Sequence, residues 1–433
     1  MEQVIKQRIA DIQRGNMLMG YQRTKLGIIP VDWQVVCLGN ILHNAIRKVA
    51  KPQTGYWRLG IRSHAKGTFR EFVEDPTTVN MDELYSVQTN DLVVNITFAW
   101  EHAIAIVNDE DAGLLVSHRF PTYVFNENAS ADFYKYVITQ QWFKEQLDLI
   151  SPGGAGRNRV MNKNAFLKIP CYAPPLEEQR RIAEILGCCD RVIALKKELI
   201  AEKKKQKKAL MQKLLNPDSG FRLPGFSGEW ETYFLRDLYD FKKSTSIPRS
   251  QLGNSGIAYL HYGDIHQSTK YHIDVLKELN DLPKLSAEDD YSKYMLLNGD
   301  VVFVDASEDY DGVSKYTVIK NPTSIPFVAG LHTIVARSKN NLLAIDFQQF
   351  CFQNECVKQQ FFFYASGMKV FGLNAENLGK IKISIPNTDE QQAIADILSA
   401  ADKEIDLLEQ ELAQQEQKKK SLMQLLLTGI VRV

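Results

Sequence analysis

The 433-residue chain is poor in cysteine, with six in all (Cys37, Cys171, Cys188, Cys189, Cys351, Cys356) and no C-x-x-C pair among them. Neither a disulfide framework nor a thiolate metal site is expected from that spacing. No apolar run approaches the ~18–20 residues that a membrane span needs. The start, Met1-Glu2-Gln3, is polar and unlike the apolar core of a secretory leader. A cytoplasmic address and no membrane contact are expected. An excess of either charge is also missing: 52 basic residues face 52 acidic ones, for a formal net charge of zero. Bulk charge therefore argues for no polyanionic partner.

Catalytic signatures are absent as well. There is no G-x-x-x-x-G-K-[S/T] phosphate loop, G-x-S-x-G elbow or H-E-x-x-H helix. Asn216-Pro217-Asp218 and Asn321-Pro322-Thr323 lack the second proline and the aromatic of an amino-methyltransferase box. The eight histidines lack metal-ligand spacing, and the irregular His261, His266 and His272 read as polar loop residues. The residues thus describe a chain without chemistry of its own, and no metal or cofactor site is expected.

What the sequence does contain is a repeat. Glu177-Glu178-Gln179-Arg180-Arg181-Ile182-Ala183-Glu184-Ile185-Leu186 returns 212 residues later as Asp389-Glu390-Gln391-Gln392-Ala393-Ile394-Ala395-Asp396-Ile397-Leu398, with six of ten positions identical. The same offset carries Asp190 onto Asp402 and Lys207-Lys208-Ala209-Leu210-Met211 onto Lys419-Lys420-Ser421-Leu422-Met423. Each copy follows a block of β-branched and aromatic runs bounded by turn residues, such as Asp91–Ile96, Pro121–Phe125, Val301–Val304 and Thr333–Ala336. Helical interruptions are predicted near Phe133–Ile150 and Phe347–Tyr364. The fold class is α+β, with two mixed β-rich domains separated by two long helices and an internal pseudo-two-fold repeat. The predicted organisation is an N-terminal helical segment (1–19), a first domain (20–175), a first helix (176–215), a second domain (216–385) and a second helix (386–433).

Pro174-Pro175 and Pro386 precede the two helices, and Glu177, Glu178, Asp389 and Glu390 sit where the first turn favours acids. A 4,3 spacing selects Ile182, Leu186, Cys189, Ile193, Lys196, Ile200, Lys203, Lys207, Leu210 and Leu214 in the first helix. In the second it selects Ile394, Leu398, Ala401, Ile405, Leu408, Leu412, Gln415, Lys419, Leu422 and Leu426. A seam of this kind needs a partner, and the simplest is the other helix packed antiparallel as a coiled-coil stalk, about 60 Å long for forty residues. Lys203, Lys207, Gln415 and Lys419 form its weak stretch. An ordinary core helix in each half is the alternative.

Loops with donors beside glycine or aromatics suit a binding surface. In the first block these are Arg58, Arg62, His64 and Lys66, together with Arg157, Asn158 and Arg159 of the Gly-rich Ser151–Arg159 segment. In the second they are His261, Tyr262, His266 and Lys369. Solvated strand ends would explain any one of them. The blocks hold 16 basic against 15 acidic residues (20–175) and 17 against 20 (216–385), while the first helix has 11 against 6. A nucleic-acid binder of this kind should bind weakly alone.

The duplicated P-x-x-x-E-Q-x-x-I-A-x-I-L stretch, the entry Gly20-Tyr21 to Ile29-Pro30-Val31-Asp32-Trp33 and the closing Leu426-Leu427-Thr428-Gly429 resemble the specificity subunit of type I restriction-modification systems. The resemblance spans the chain. It implies two target-recognition domains that each read one half of a split double-stranded DNA site, with paired helices fixing the gap. It further implies two methylation subunits docked on the helices, and restriction subunits that translocate DNA. S-adenosylmethionine, ATP and Mg belong to those partners, and none to this chain. A non-catalytic coiled-coil adaptor without base readout is the reading from a different class.

Overall fold

The structure, a computed structural model, describes residues 2–154, 159–286, 290–308, 310–367 and 370–433. The candidates Arg157, Asn158 and Lys369 lie outside the described residues. By compactness the chain divides into two units, Met1–Lys196 with Glu411–Val433, and Lys197–Gln410. Each unit thus holds one β-rich block and part of both long helices.

In the first unit a four-stranded antiparallel sheet runs in the order Ile104–Ile106, Leu92–Val94, Thr122–Phe125, Leu42–Asn44. A second sheet carries the long hairpin Tyr56–Ile61/Thr68–Val73 at one edge. In the second unit the sheet order is Tyr316–Lys320, Val301–Val304, Thr333–Ser338, Tyr239–Lys243, with His272–Asp274 added beyond the first of these. The strand runs read from β-branched clustering are therefore strands, and the two blocks share one sheet order. Each block is closed by a two-stranded ribbon joining its ends, Gln34–Cys37 with Pro170–Ala173 and Glu231–Phe234 with Lys382–Ile385. The predicted helical interruptions are each two helices: Ala131–Val137 and Gln141–Leu149 in one block, Ile345–Cys351 and Glu355–Tyr364 in the other. Asn354 caps the last of these by accepting from Cys356 N. The N-terminal segment with Ile5, Ile9 and Ile12 is helical over Glu2–Gln13.

The long helices run Leu176–Leu214 and Thr388–Leu427. None of the twenty 4,3 seam positions is exposed, whereas neighbours such as Leu195, Leu199 and Leu407 are. Within the first unit Lys196 pairs with Glu411 at 2.6 Å, and Lys419 with Asp190. Within the second, Lys203 pairs with Glu404 and Lys204 with Glu409, both at 2.6 Å, and Lys207 with Asp402. Residue numbers rise along one helix as they fall along the other, so the pairing is antiparallel in each unit. The weak stretch of the sequence reading is therefore where most seam lysines meet carboxylates of the facing helix. Such pairs contribute only about 0–1 kcal/mol each, and their main effect is to specify register. Lys207–Asp402 and Asp190–Lys419 are the same pair repeated at the 212-residue offset.

Each block's core absorbs helix ends: Ile182, Leu186, Leu426 and Leu427 join the first core, and Leu214, Leu215, Ile394 and Leu398 the second. The signature glutamine explains how the helix start is fixed. Gln179 donates to the carbonyls of Pro174 and Asn128 and accepts from Ser130 N, while Gln391 donates to those of Pro386 and Leu342 and accepts from Ala344 N. Both side chains are 1% exposed. Replacing Gln391 with alanine leaves buried backbone groups without partners, and a loss of about 1–3 kcal/mol is expected in urea unfolding. Gln179→Ala should match it.

Candidate nucleic-acid interface

In the first unit the Tyr56–Ile61/Thr68–Val73 hairpin presents its tip outward. His64, Ala65 and Gly67 all have positive φ, which a tight turn imposes and which is uncommon for the first two. Arg62 N donates to Gly67 O at 2.9 Å, and His64 N and Ala65 N to the carbonyls of Glu101 and His102 at 2.8 Å, so the tip is tacked to the loop beneath it. Arg62, His64 and Lys66 are exposed there. Arg62 lies 5.4 Å from the centre of the Phe69 ring and donates to Thr68 O. Gly60 leaves room for that ring, since a Cβ at this position would meet it at 2.2 Å.

Arg58 and Arg159 are engaged within the chain. Arg58 makes a bidentate pair with Glu71 at 2.7 and 3.0 Å. Arg159 donates to the Asp148 carboxylate at 2.7 Å and to the Ser151 carbonyl at 2.9 Å, and stacks 5.1 Å from Trp100. Arg58 ties the two strands of the hairpin together, and Arg159 ties its segment to Asp148 and Ser151. The second unit gathers its candidates differently. His261 is buried and caps the short helix Tyr262–Gln267, accepting from Gly263 N through Nδ1. Tyr262 then meets His266 and His332 edge-on, at 5.9 and 5.4 Å between ring centres.

His332 and its neighbour Asp305 escaped the sequence reading, because they lie 27 residues apart in number and come together only through the sheet order. Burial pushes the Asp305 carboxyl above its ordinary value, and the facing His332 works against that shift. They line an open cleft of about 790 Å³ with Lys242, Lys243, Ser244 and Asn374. In the first unit a 430 Å³ cleft is lined by Arg58, Phe69, Asn95, Thr97 and Arg119 among others. Among the described residues no group of three or more His, Cys, Asp or Glu side chains could hold a metal ion. No helix among them is long and apolar enough to cross a membrane. The exposed groups are guanidinium, ammonium, amide and imidazole donors with a few carboxylate acceptors, which is the chemistry that contacts phosphates and base edges.

The sequence profile of the family described as the type I restriction modification DNA specificity domain matches the chain twice, over residues 30–204 and 227–417. The chain belongs to that family. Both matches end inside a long helix, so the specificity repeat is one block with the helix that follows it. The MjaX specificity subunit of Methanocaldococcus jannaschii is 26% identical over 95% of this chain and 97% of that protein. The MjaVIII specificity subunit of the same organism is 28% identical over 70% of each. Two solved structures share the fold. One, from work on complex assembly and conformational transition of the type I system, aligns with a TM-score of 0.58 at 18% identity, covering 93% of this chain and 99% of that one. The S subunit from M. genitalium aligns with a TM-score of 0.54 at 14% identity, covering 91% and 96%. The role of this specificity subunit is DNA recognition in a type I restriction-modification system.

Proposed function

We propose that each block reads one half of a split duplex target, that the helices set the interval between halves and dock two methylation subunits, and that this chain catalyses nothing. S-adenosylmethionine, ATP and Mg are then held by the methylation and restriction subunits. The observation that carries this reading is the duplicated block-plus-helix unit, in which the buried glutamine of the repeated signature makes matching bonds in both copies. Arg62, His64 and Lys66 at the hairpin tip, and Tyr262 and His266 in the second unit, are the proposed DNA contacts best placed to reach a partner. Arg157, Asn158 and Lys369 are proposed on sequence alone. Arg58, Arg159 and His261 are proposed as supports of the hairpin and the loops, since their polar groups are already engaged.

Binding of the chain, assembled with its methylation partner, to target and scrambled duplexes tests the reading. Preference for the target that survives rising salt is expected, because phosphate contacts weaken uniformly with salt while base contacts discriminate. Equal affinity for every duplex would support the adaptor reading instead.

A further inference from the structure

The internal repeat allows the two blocks to be superimposed by their hydrogen bonds. Asp91 and Asp300, each 2% exposed, mark the same point at the start of the central strand. Asp91 accepts from Gln88 N and from Arg47, and Asp300 from Leu297 N and from Arg337. At the other end of that strand Ile96 N donates to Arg119 O at 3.0 Å, and Asp305 N to His332 O at 3.1 Å. Met161 N closes on Ile96 O at 2.9 Å, and Leu373 N on Asp305 O at 2.8 Å. The backbone bonds of this sheet corner are thus the same in both units, although Arg47 follows the strand Leu42–Asn44 and Arg337 lies in the strand Thr333–Ser338. The corner carries Ile96 and Arg119 in the first and Asp305 and His332 in the second, and in each unit it opens into a cleft.

Chemistry that differs on a frame that does not is what reading two unlike half-sites requires. Arg119 is exposed and, among the described residues, its guanidinium is in no ion pair. Asp305 is the acceptor of the other corner. Its Oδ1 is buried 3.3 Å from His332 Nδ1, outside hydrogen-bond geometry, and no other described group bonds it. The side chain is 35% exposed, which leaves Oδ2 and Cβ as its open part. His332 holds φ +61° to face it. Lys242 and Lys243, exposed on the cleft's rim, form no ion pair among the described residues and can take the flanking phosphates.

We propose that this corner is the base-reading position of each block. Arg119 donates to the N7 and O6 edge of a guanine in one half-site, and Asp305 accepts from the exocyclic amine of a cytosine in the other. The inference rests on the split-target reading above.

Methylation mapping in cells expressing the chain with its methylation partner tests it, using wild type, Arg119→Gln and Asp305→Asn. Each variant is expected to lose discrimination at one position of one half-site, roughly five- to 150-fold, with the other half-site and the spacer intact. The two variants should affect different half-sites. An unchanged motif in both, or a change in both half-sites from either one, would overturn the assignment. Where methylation vanishes, the assembled variant complex is titrated with duplexes altered at each position. Lost preference at a single position supports the assignment, and an equal loss for all duplexes marks a phosphate contact and overturns it. A wild type without a split motif would instead bring down the function proposed above.

Discussion

Replacing Arg222 with alanine is expected to destabilise its unit by about 3–5 kcal/mol, the usual cost of stripping one partner from a buried ion pair. Glu390, the second acid of the repeated signature, is 1% exposed, and among the described residues its side chain is bonded by Arg222 alone, through Nε at 2.8 Å and Nη2 at 2.5 Å. The first unit offers a natural contrast. There Arg432 bonds Glu178 at 2.6 and 2.8 Å, but Trp33 Nε1 donates to the same carboxylate at 2.9 Å. Trp230, at the matching point of the second unit, leaves its Nε1 without a partner among the described residues. Arg432→Ala should therefore cost less than Arg222→Ala. Adding Glu390→Gln to Arg222→Ala should recover most of the loss, since the uncompensated charge goes with it. Calorimetric melting of the four proteins checks the order; equal losses for the two arginines would refute it.

The second large effect concerns the helices. Inserting four residues in Leu176–Leu214 just before Lys203 adds about 6 Å of rise and rotates the following side chains by about 40° beyond a full turn. The seam pairs Lys203–Glu404 and Lys207–Asp402 must then slide or re-form one turn along. The methylated motif is expected to keep both half-sites and change the number of bases between them. The original motif with its original spacer would show that these helices do not set the interval.

Periodicity made the helices legible in the sequence because a long seam repeats its demand every three or four residues. All twenty seam positions are sheltered, and the lysines among them were readable as positions but not as ion pairs, since pairing depends on the register of a second helix. The signature Glu-Gln could be seen as a repeat, yet its reason could not. Gln391 bonds a loop 49 residues away, and Glu390 an arginine 168 residues away. The candidate site was the least legible part. Loop donors such as Arg58 and Arg159 look free in sequence and are held by Glu71 and Asp148 in the fold. Conversely, Asp305 and His332 carry no local motif and meet only because their strands are neighbours.

The most direct measurement is a methylome of a host in which this chain is the only specificity subunit supplied to its methylation partner. One motif made of two unlike short half-sites with unspecified bases between them is expected. A single continuous motif, or methylation without sequence preference, would contradict it.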